Sequence, residues 1–244
     1  GASLGLLVSL VLFAPASWLA SGIRQASASR VQLQAARGTV WDGSARLVLS
    51  GGAGSIDHAA LAGRVSWRLR PTWLGLDTSL STPCCTDQPV RLRLLPRWAG
   101  GRIEVGDQPS HWPAALLAGL GTPWNTVQAE GQLQLLTKAL SVEWSAGGWT
   151  VSGSAELAAV GLSSRLSTLK PMGSYRITFN GGPVPTLQLD TIEGALQLTG
   201  SGSWVGSRLR FNGEASAAPD REAALSNLLN IIGRRNGARS IISL

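Results

Sequence analysis

The chain has 244 residues and a formal net charge of +7; 44% of its residues are hydrophobic and only 14% are charged. This length can form one large domain or two small ones, and the basic charge suits a nucleic-acid, anionic-lipid or acidic-protein partner. The sequence contains no nucleic-acid-binding motif, and its two adjacent cysteines and two distant histidines do not form a zinc ligand set.

The N-terminal segment Gly1–Ile23 contains no charged residue. As a helix that rises ~1.5 Å per residue, it would span about 34 Å, which exceeds the roughly 30 Å core of a bilayer. We therefore predict a transmembrane anchor over residues 1–24 and a linker over residues 25–32, with a kink at Pro15. A cleaved signal peptide is the alternative, because Ala26-Ser27-Ala28 resembles a cleavage site.

A period of two dominates residues 33–244. The apolar members of its clearest stretches are Val65, Trp67 and Leu69; Val90, Leu92 and Leu94; Leu133 and Leu135; Tyr175, Ile177 and Phe179; and Leu209, Phe211 and Ala215. Successive side chains of a strand point to opposite faces of its sheet. The pattern therefore predicts an all-β domain: a long twisted antiparallel sheet, curled into a half-barrel or sandwich, with sub-blocks at 33–112 and 121–244.

Arginines occupy many of the polar positions in this alternation. We predict that one sheet face is rich in arginine and that Arg64, Arg68, Arg208 and Arg210 dock an acidic partner by charge complementarity. The alternative is that these arginines only solvate the outer face and prevent pairing at the sheet edges.

Tryptophan is unusually frequent, with ten residues against one tyrosine and three phenylalanines. Trp41 and Trp67 stand among apolar neighbours, so we expect both to be core residues. The sequence offers no physical reason for the tryptophan excess.

Cys84 and Cys85 are the only cysteines. Outside the cytosol, two cysteines usually persist as a disulfide, so we predict a vicinal bridge between them. Adjacent Cα atoms lie ~3.8 Å apart, below the usual range of about 4.4–6.8 Å for bridged pairs, so the bridge would force a tight turn after Pro83. It would serve as a turn lock or as a redox switch; two free thiols are the remaining alternative.

Two short helices are expected. Pro113 and Gly121 bound the first, over Ala114–Leu120. Apolar residues at helical spacing predict the second within Ala217–Gly233. The second helix either caps the apolar sheet face or docks a partner through Leu228 and Ile232.

No arrangement of residues indicates catalysis. His58 and His111 lie in different turn-like segments, and neither has a carboxylate or nucleophile cluster near it in sequence. We therefore predict no catalytic residue, no metal and no cofactor.

Five segments together resemble the type II secretion system protein N family (GspN). They are Arg37–Ala45, Gly63–Pro71, Leu120–Gln128, Gly194–Gly200 and Asn227–Arg235. The resemblance implies a non-catalytic accessory subunit of the machine that exports folded proteins from the periplasm. It also implies one inner-membrane span, a periplasmic domain, and the secretin and inner-membrane platform proteins as partners.

A looser resemblance supplies the alternative function. The sequences of Gly38–Gly43 and Val65–Pro71 are similar to those of anchored β-groove proteins in lipid transport. The apolar face would then form an open groove that binds or passes lipid acyl chains. A sealed interior would favour docking, whereas an open trough would favour the lipid function.

Overall fold

The computed structural model describes residue 9, residues 11–206 and residues 208–243. Its strands are β1 Val31–Gly38, β2 Asp42–Ser50, β3 His58–Ala60, β4 Val65–Thr72, β5 Gly75–Ser81, β6 Val90–Arg97, β7 Gly100–Val105, β8 Ser110–Pro113, β9 Glu130–Ser145, β10 Gly148–Ser163, β11 Gly173–Asn180, β12 Thr186–Gly194, β13 Leu196–Val205, β14 Arg208–Ala217, β15 Arg234–Asn236 and β16 Arg239–Ser243. Its helices are α1 Ala16–Ala26, a 3-10 helix Ala114–Leu120, α2 Trp124–Val127 and α3 Glu222–Ile232.

All sixteen strands of the described residues belong to one sheet. The strand order follows the chain almost without exception, from β1 at one end to β16 and β15 at the other, and β3 and β8 pair to the side with β2 and β9. Every pairing is antiparallel, and the sheet does not close on itself. The prediction of a long antiparallel all-β fold is confirmed, as a single open sheet rather than a sandwich.

The sheet has an apolar face and an arginine face. On β4, Trp67 is buried whereas its neighbours Arg68 and Arg70 are exposed, as the alternation predicts. The core lies on the apolar face in three clusters, one under each of α1, the 3-10 helix and α3.

Helix α3 covers the C-terminal half of the apolar face. Leu225, Leu228 and Leu229 are almost completely buried, in one cluster with Tyr175 and Leu196. The prediction that Leu228 docks a partner is therefore wrong, because this side chain is part of the core. The partly buried Ile232 packs against the same cluster. The alternative, in which the helix caps the sheet, is what the structure shows.

Helix α1 covers the opposite end of the apolar face. It begins after Pro15, which forms an isolated β-bridge with Thr39, and its Ala16 is buried against Trp67. Proline has no N–H for a helical hydrogen bond, so the helix does not continue through this residue. Among the described residues, no helix is long and apolar enough to cross a membrane. The predicted anchor is thus not observed as one span, and its residues 1–8 and 10 lie outside the described part.

The two tryptophans that were expected in the core differ in their burial. Trp67 is buried, and its indole Nε1 donates a hydrogen bond of 3.0 Å to the Val40 carbonyl, which confirms that prediction. Trp41 is only half-buried, and its Nε1 donates to the carbonyl oxygen of Val11 over 2.8 Å.

Tyr175 is a buried tyrosine on the apolar face. Its hydroxyl donates a hydrogen bond of 3.0 Å to the Leu196 carbonyl, and burial raises the pKa of Tyr175 far above its ordinary value. The neutral form is therefore favoured by folding. This contribution to stability is fully present below about pH 10, the pKa of tyrosine in an unfolded chain, and is lost as the pH rises above it.

Because Tyr175 is the only tyrosine, its ionisation can be followed by tyrosinate absorbance. We expect no tyrosinate signal near pH 10, and then a steep rise that coincides with alkaline unfolding measured by circular dichroism. A simple titration near pH 10 in the folded protein would contradict the buried position.

Candidate functional site

Side chains that are charged, with the exception of Ser79, form two cross-strand rows on the arginine face. Neighbouring residues of a row lie directly opposite each other on adjacent strands, with Cβ atoms about 5 Å apart. The first row is Asp42, Arg68, Ser79 and Arg91, and the second is Arg70, Asp77, Arg93 and Glu104.

Several of these arginines are paired with a carboxylate. Arg68 Nε lies 3.0 Å from Asp42 Oδ2, and Arg93 Nε lies 3.0 Å from Asp77 Oδ1. The hydrogen bond and charge of Asp77 raise the pKa of Arg93 above its ordinary value. Arg102 Nε lies 3.1 Å from Glu104 Oε1. All these groups reach solvent, so the pairs add little to stability, and their main effect is to neutralise local charge.

Arg70 and Arg91 remain as the free cations of this region. Both side chains are exposed, and within the described residues neither forms an ion pair. They line one shallow depression together with four other charged residues. Two of these are the paired arginines Arg68 and Arg93, and two are the carboxylates of Asp77 and Glu104. The depression therefore carries two more cations than anions and can attract an acidic group without first breaking an existing ion pair.

The docking residues predicted from the sequence do not form one site. Arg64 is half-buried and held against β1 and β2, because its guanidinium donates to the carbonyl oxygens of Ala35 and Ser44 at 2.7 and 2.8 Å. Arg68 lines the depression. Arg208 and Arg210 are exposed on β14, near the other end of the sheet.

Sequence reasoning missed the two free cations. Arg70 and Arg91 stand in the same alternation as Arg68 and Arg93, so their face was predictable. Which arginine pairs with a carboxylate depends on the cross-strand register and on the side-chain conformations, and no signal in the sequence gives either.

An apolar trough lies on the opposite face of the same strands. It has a volume of about 370 Å³, and none of its lining residues is charged. Leu19 and Ile23 of α1 form one wall, and Trp67, Leu80 and Leu92 belong to the sheet that faces them. Most of these side chains are only half-buried, unlike those under α3, so the interior is open here.

The loop after β5 contains both cysteines. The structure joins Cys84 and Cys85 as a disulfide. The Cys85 N–H donates to the Thr82 carbonyl over 3.0 Å, and the Cys85 carbonyl accepts from the His111 N–H over 2.8 Å. These backbone hydrogen bonds already fix the turn.

We expect the unreduced protein to be two hydrogens lighter than the dithiol, with the bridge inside one peptide. Replacing both cysteines by serine should change the unfolding midpoint little, because so small a loop removes few unfolded conformations. Mass spectrometry after alkylation measures the mass difference directly, and two reactive thiols without reductant would contradict the bridge. Thermal unfolding of the double serine variant measures the change in midpoint.

The two histidines occupy separate strands. His58 in β3 has its Nδ1 atom 2.9 Å from the Ile56 carbonyl oxygen, and His111 in β8 has its Nε2 atom 3.3 Å from Asp87. In the part of the chain that the structure describes, no three His, Cys, Asp or Glu side chains are grouped to hold a metal.

Residues 29–242 match the model of the family described as "Type II secretion system (T2SS), protein N". The match covers both the depression and most of the trough, and it confirms the resemblance seen in the sequence. No curated protein and no solved structure matches the chain.

Proposed function

Because the chain belongs to the type II secretion system protein N family, we propose that it is a non-catalytic docking subunit of the type II secretion machinery. Its sheet lies in the periplasm, and the uncharged N-terminal sequence keeps it at the inner membrane. Its partners are other components of the machinery, among them the secretin and the inner-membrane platform proteins.

The excess positive charge around Arg70 and Arg91 supports this proposal best. Free guanidinium groups on a rigid sheet bind carboxylates in a fixed geometry and need no rearrangement of the fold. Complementary charge of this kind accelerates association and selects the partner. The occupant of the depression is therefore an acidic segment of another secretion component.

Reversal of these two charges tests the proposal. In the full chain, the double change Arg70→Glu and Arg91→Glu should weaken association at least about tenfold, which corresponds to 1.4 kcal/mol. Co-purification of other secretion components and export of a secreted protein should both fall. Arg70→Lys with Arg91→Lys keeps the charge and should retain most of the association.

A matched control uses two exposed arginines at the far end of the sheet. Arg234→Glu with Arg235→Glu makes the same change in net charge on the edge strand β15 and should leave association and export unchanged. Equal effects of the two double variants, or no effect of either, would contradict docking at this depression.

The open trough favours the lipid function as a second candidate. Its volume lies within the usual range of small-molecule sites, and its uncharged walls suit a single acyl chain. Lipid should then co-purify with the full chain and be lost from a Leu92→Arg variant, which places a charge in the trough wall. Purified protein that contains no lipid would exclude this candidate.

A further inference from the structure

Most exposed apolar side chains lie at one end of the sheet. In a sheet whose antiparallel strands follow chain order, alternate connections emerge at the same end. The connections that share the end next to Trp41 are 39–41, 73–74, 98–99, 146–147, 181–185 and the one between Val205 and Arg208. We call this end the tryptophan rim.

The rim exposes tryptophan to an unusual degree. Trp73, Trp98 and Trp149 are 98%, 105% and 76% exposed. Of the eleven large apolar side chains that are more than half exposed in the described residues, ten lie at the rim or in the segment 11–18 that joins it. The exception, Ile56, lies in a connection at the opposite end.

The tryptophans of the rim are spaced rather than clustered. The hairpins that carry Trp73, Trp98 and Trp149 follow one another at intervals of two strands, or about 10 Å at the usual strand spacing. A protein partner is normally held by a compact group of anchor residues that excludes water. A row of single aromatic side chains suits a broad surface into which each ring inserts independently.

The N-terminal sequence meets the fold at this same rim. The Val40 N–H donates to the Ala14 carbonyl over 2.8 Å, and Trp41 Nε1 donates to the Val11 carbonyl over 2.8 Å. Val11, Leu12 and Phe13 are all more than half exposed beside it. The sequence that precedes these residues, Gly1–Ser9, contains no charge.

From this continuity we propose that the tryptophan rim rests on a lipid bilayer, with Trp73, Trp98 and Trp149 in the headgroup region. Tryptophan is enriched at membrane interfaces because its ring is apolar while its N–H still reaches a hydrogen-bond partner. The rim then gives the sheet a second attachment to the membrane, besides the N-terminal segment. It also fixes the orientation of the strands relative to the bilayer plane. This contact does not depend on what the arginine face binds.

Quenching of tryptophan fluorescence by brominated lipid tests the proposal with purified full chain and lipid alone. The protein is reconstituted into vesicles of phosphatidylethanolamine and phosphatidylglycerol whose acyl chains carry bromine. Wild-type emission should be quenched relative to unbrominated vesicles. The triple variant Trp73→Phe, Trp98→Phe and Trp149→Phe should lose more than half of that quenching.

Trp124 supplies the matched control, since it is 41% exposed near the opposite end of the sheet. Trp124→Phe should leave the quenched emission unchanged. Both variants should unfold at the wild-type temperature, because the replaced rings are exposed. Equal quenching in the wild type and the triple variant, or no quenching in the wild type, would overturn the membrane contact and leave the rim to a protein partner or a second copy of the chain.

Discussion

Leu228→Asp should lower the free energy of unfolding by more than about 4 kcal/mol. Leu228 is 2% exposed and packs between α3 and the sheet with Leu225 and Leu229. An aspartate there either buries an unpaired charge or takes up a proton, and it also removes the apolar contacts of leucine. Urea denaturation of the full chain, followed by circular dichroism, measures the loss.

Ile231 provides the control on the same helix, because its side chain is 43% exposed. Ile231→Asp introduces the same charge and should change the free energy of unfolding by less than about 0.5 kcal/mol. Comparable losses in the two variants would show that α3 does not bury the face that the structure assigns to it.

Trp67→Ala should cost roughly 3–5 kcal/mol of stability. The side chain is 3% exposed, it is packed between α1 and the sheet, and its removal leaves the Val40 carbonyl without the indole donor. Gly43 lies directly against the indole ring and has no side chain that could fill the cavity. The same denaturation experiment measures this loss.

Trp98→Ala is the corresponding control for a fully exposed tryptophan, and the midpoint of unfolding should not move. A Trp67→Ala protein as stable as the wild type would contradict both the strand register and the core under α1.

Much of the sheet could be predicted from the sequence, because burial on one face imposes the alternation. Val65, Trp67 and Leu69 lie on one face of β4 as expected. The C-terminal helix was expected within Ala217–Gly233 and is observed as Glu222–Ile232.

The position of residues 15–26 was harder to predict than that of the strands. An uncharged sequence suits both a bilayer and the apolar face of a sheet, and hydropathy does not distinguish them. The deciding features are the bridge between Pro15 and Thr39 and the burial of Ala16, which are long-range contacts.

The charged depression and the tryptophan rim depend on topology in the same way. Arg70 and Arg91 are the free cations because Asp42 pairs with Arg68, and because Asp77, which lies between Arg70 and Arg93, pairs with Arg93. Trp73, Trp98 and Trp149 share one end only because the strands follow chain order. The tryptophan excess, for which the sequence offers no reason, thereby gains a structural explanation.

Site-specific photo-crosslinking in native membranes tests the docking role most directly. A photoreactive residue in place of Arg91, in the full chain, should crosslink to another type II secretion component through an acidic peptide that mass spectrometry identifies. The same residue in place of Arg234, on the far edge strand, should not yield that product. Crosslinks to no secretion component from position 91, or the same product from both positions, would contradict the account of this protein as a docking subunit that acts through its arginine face.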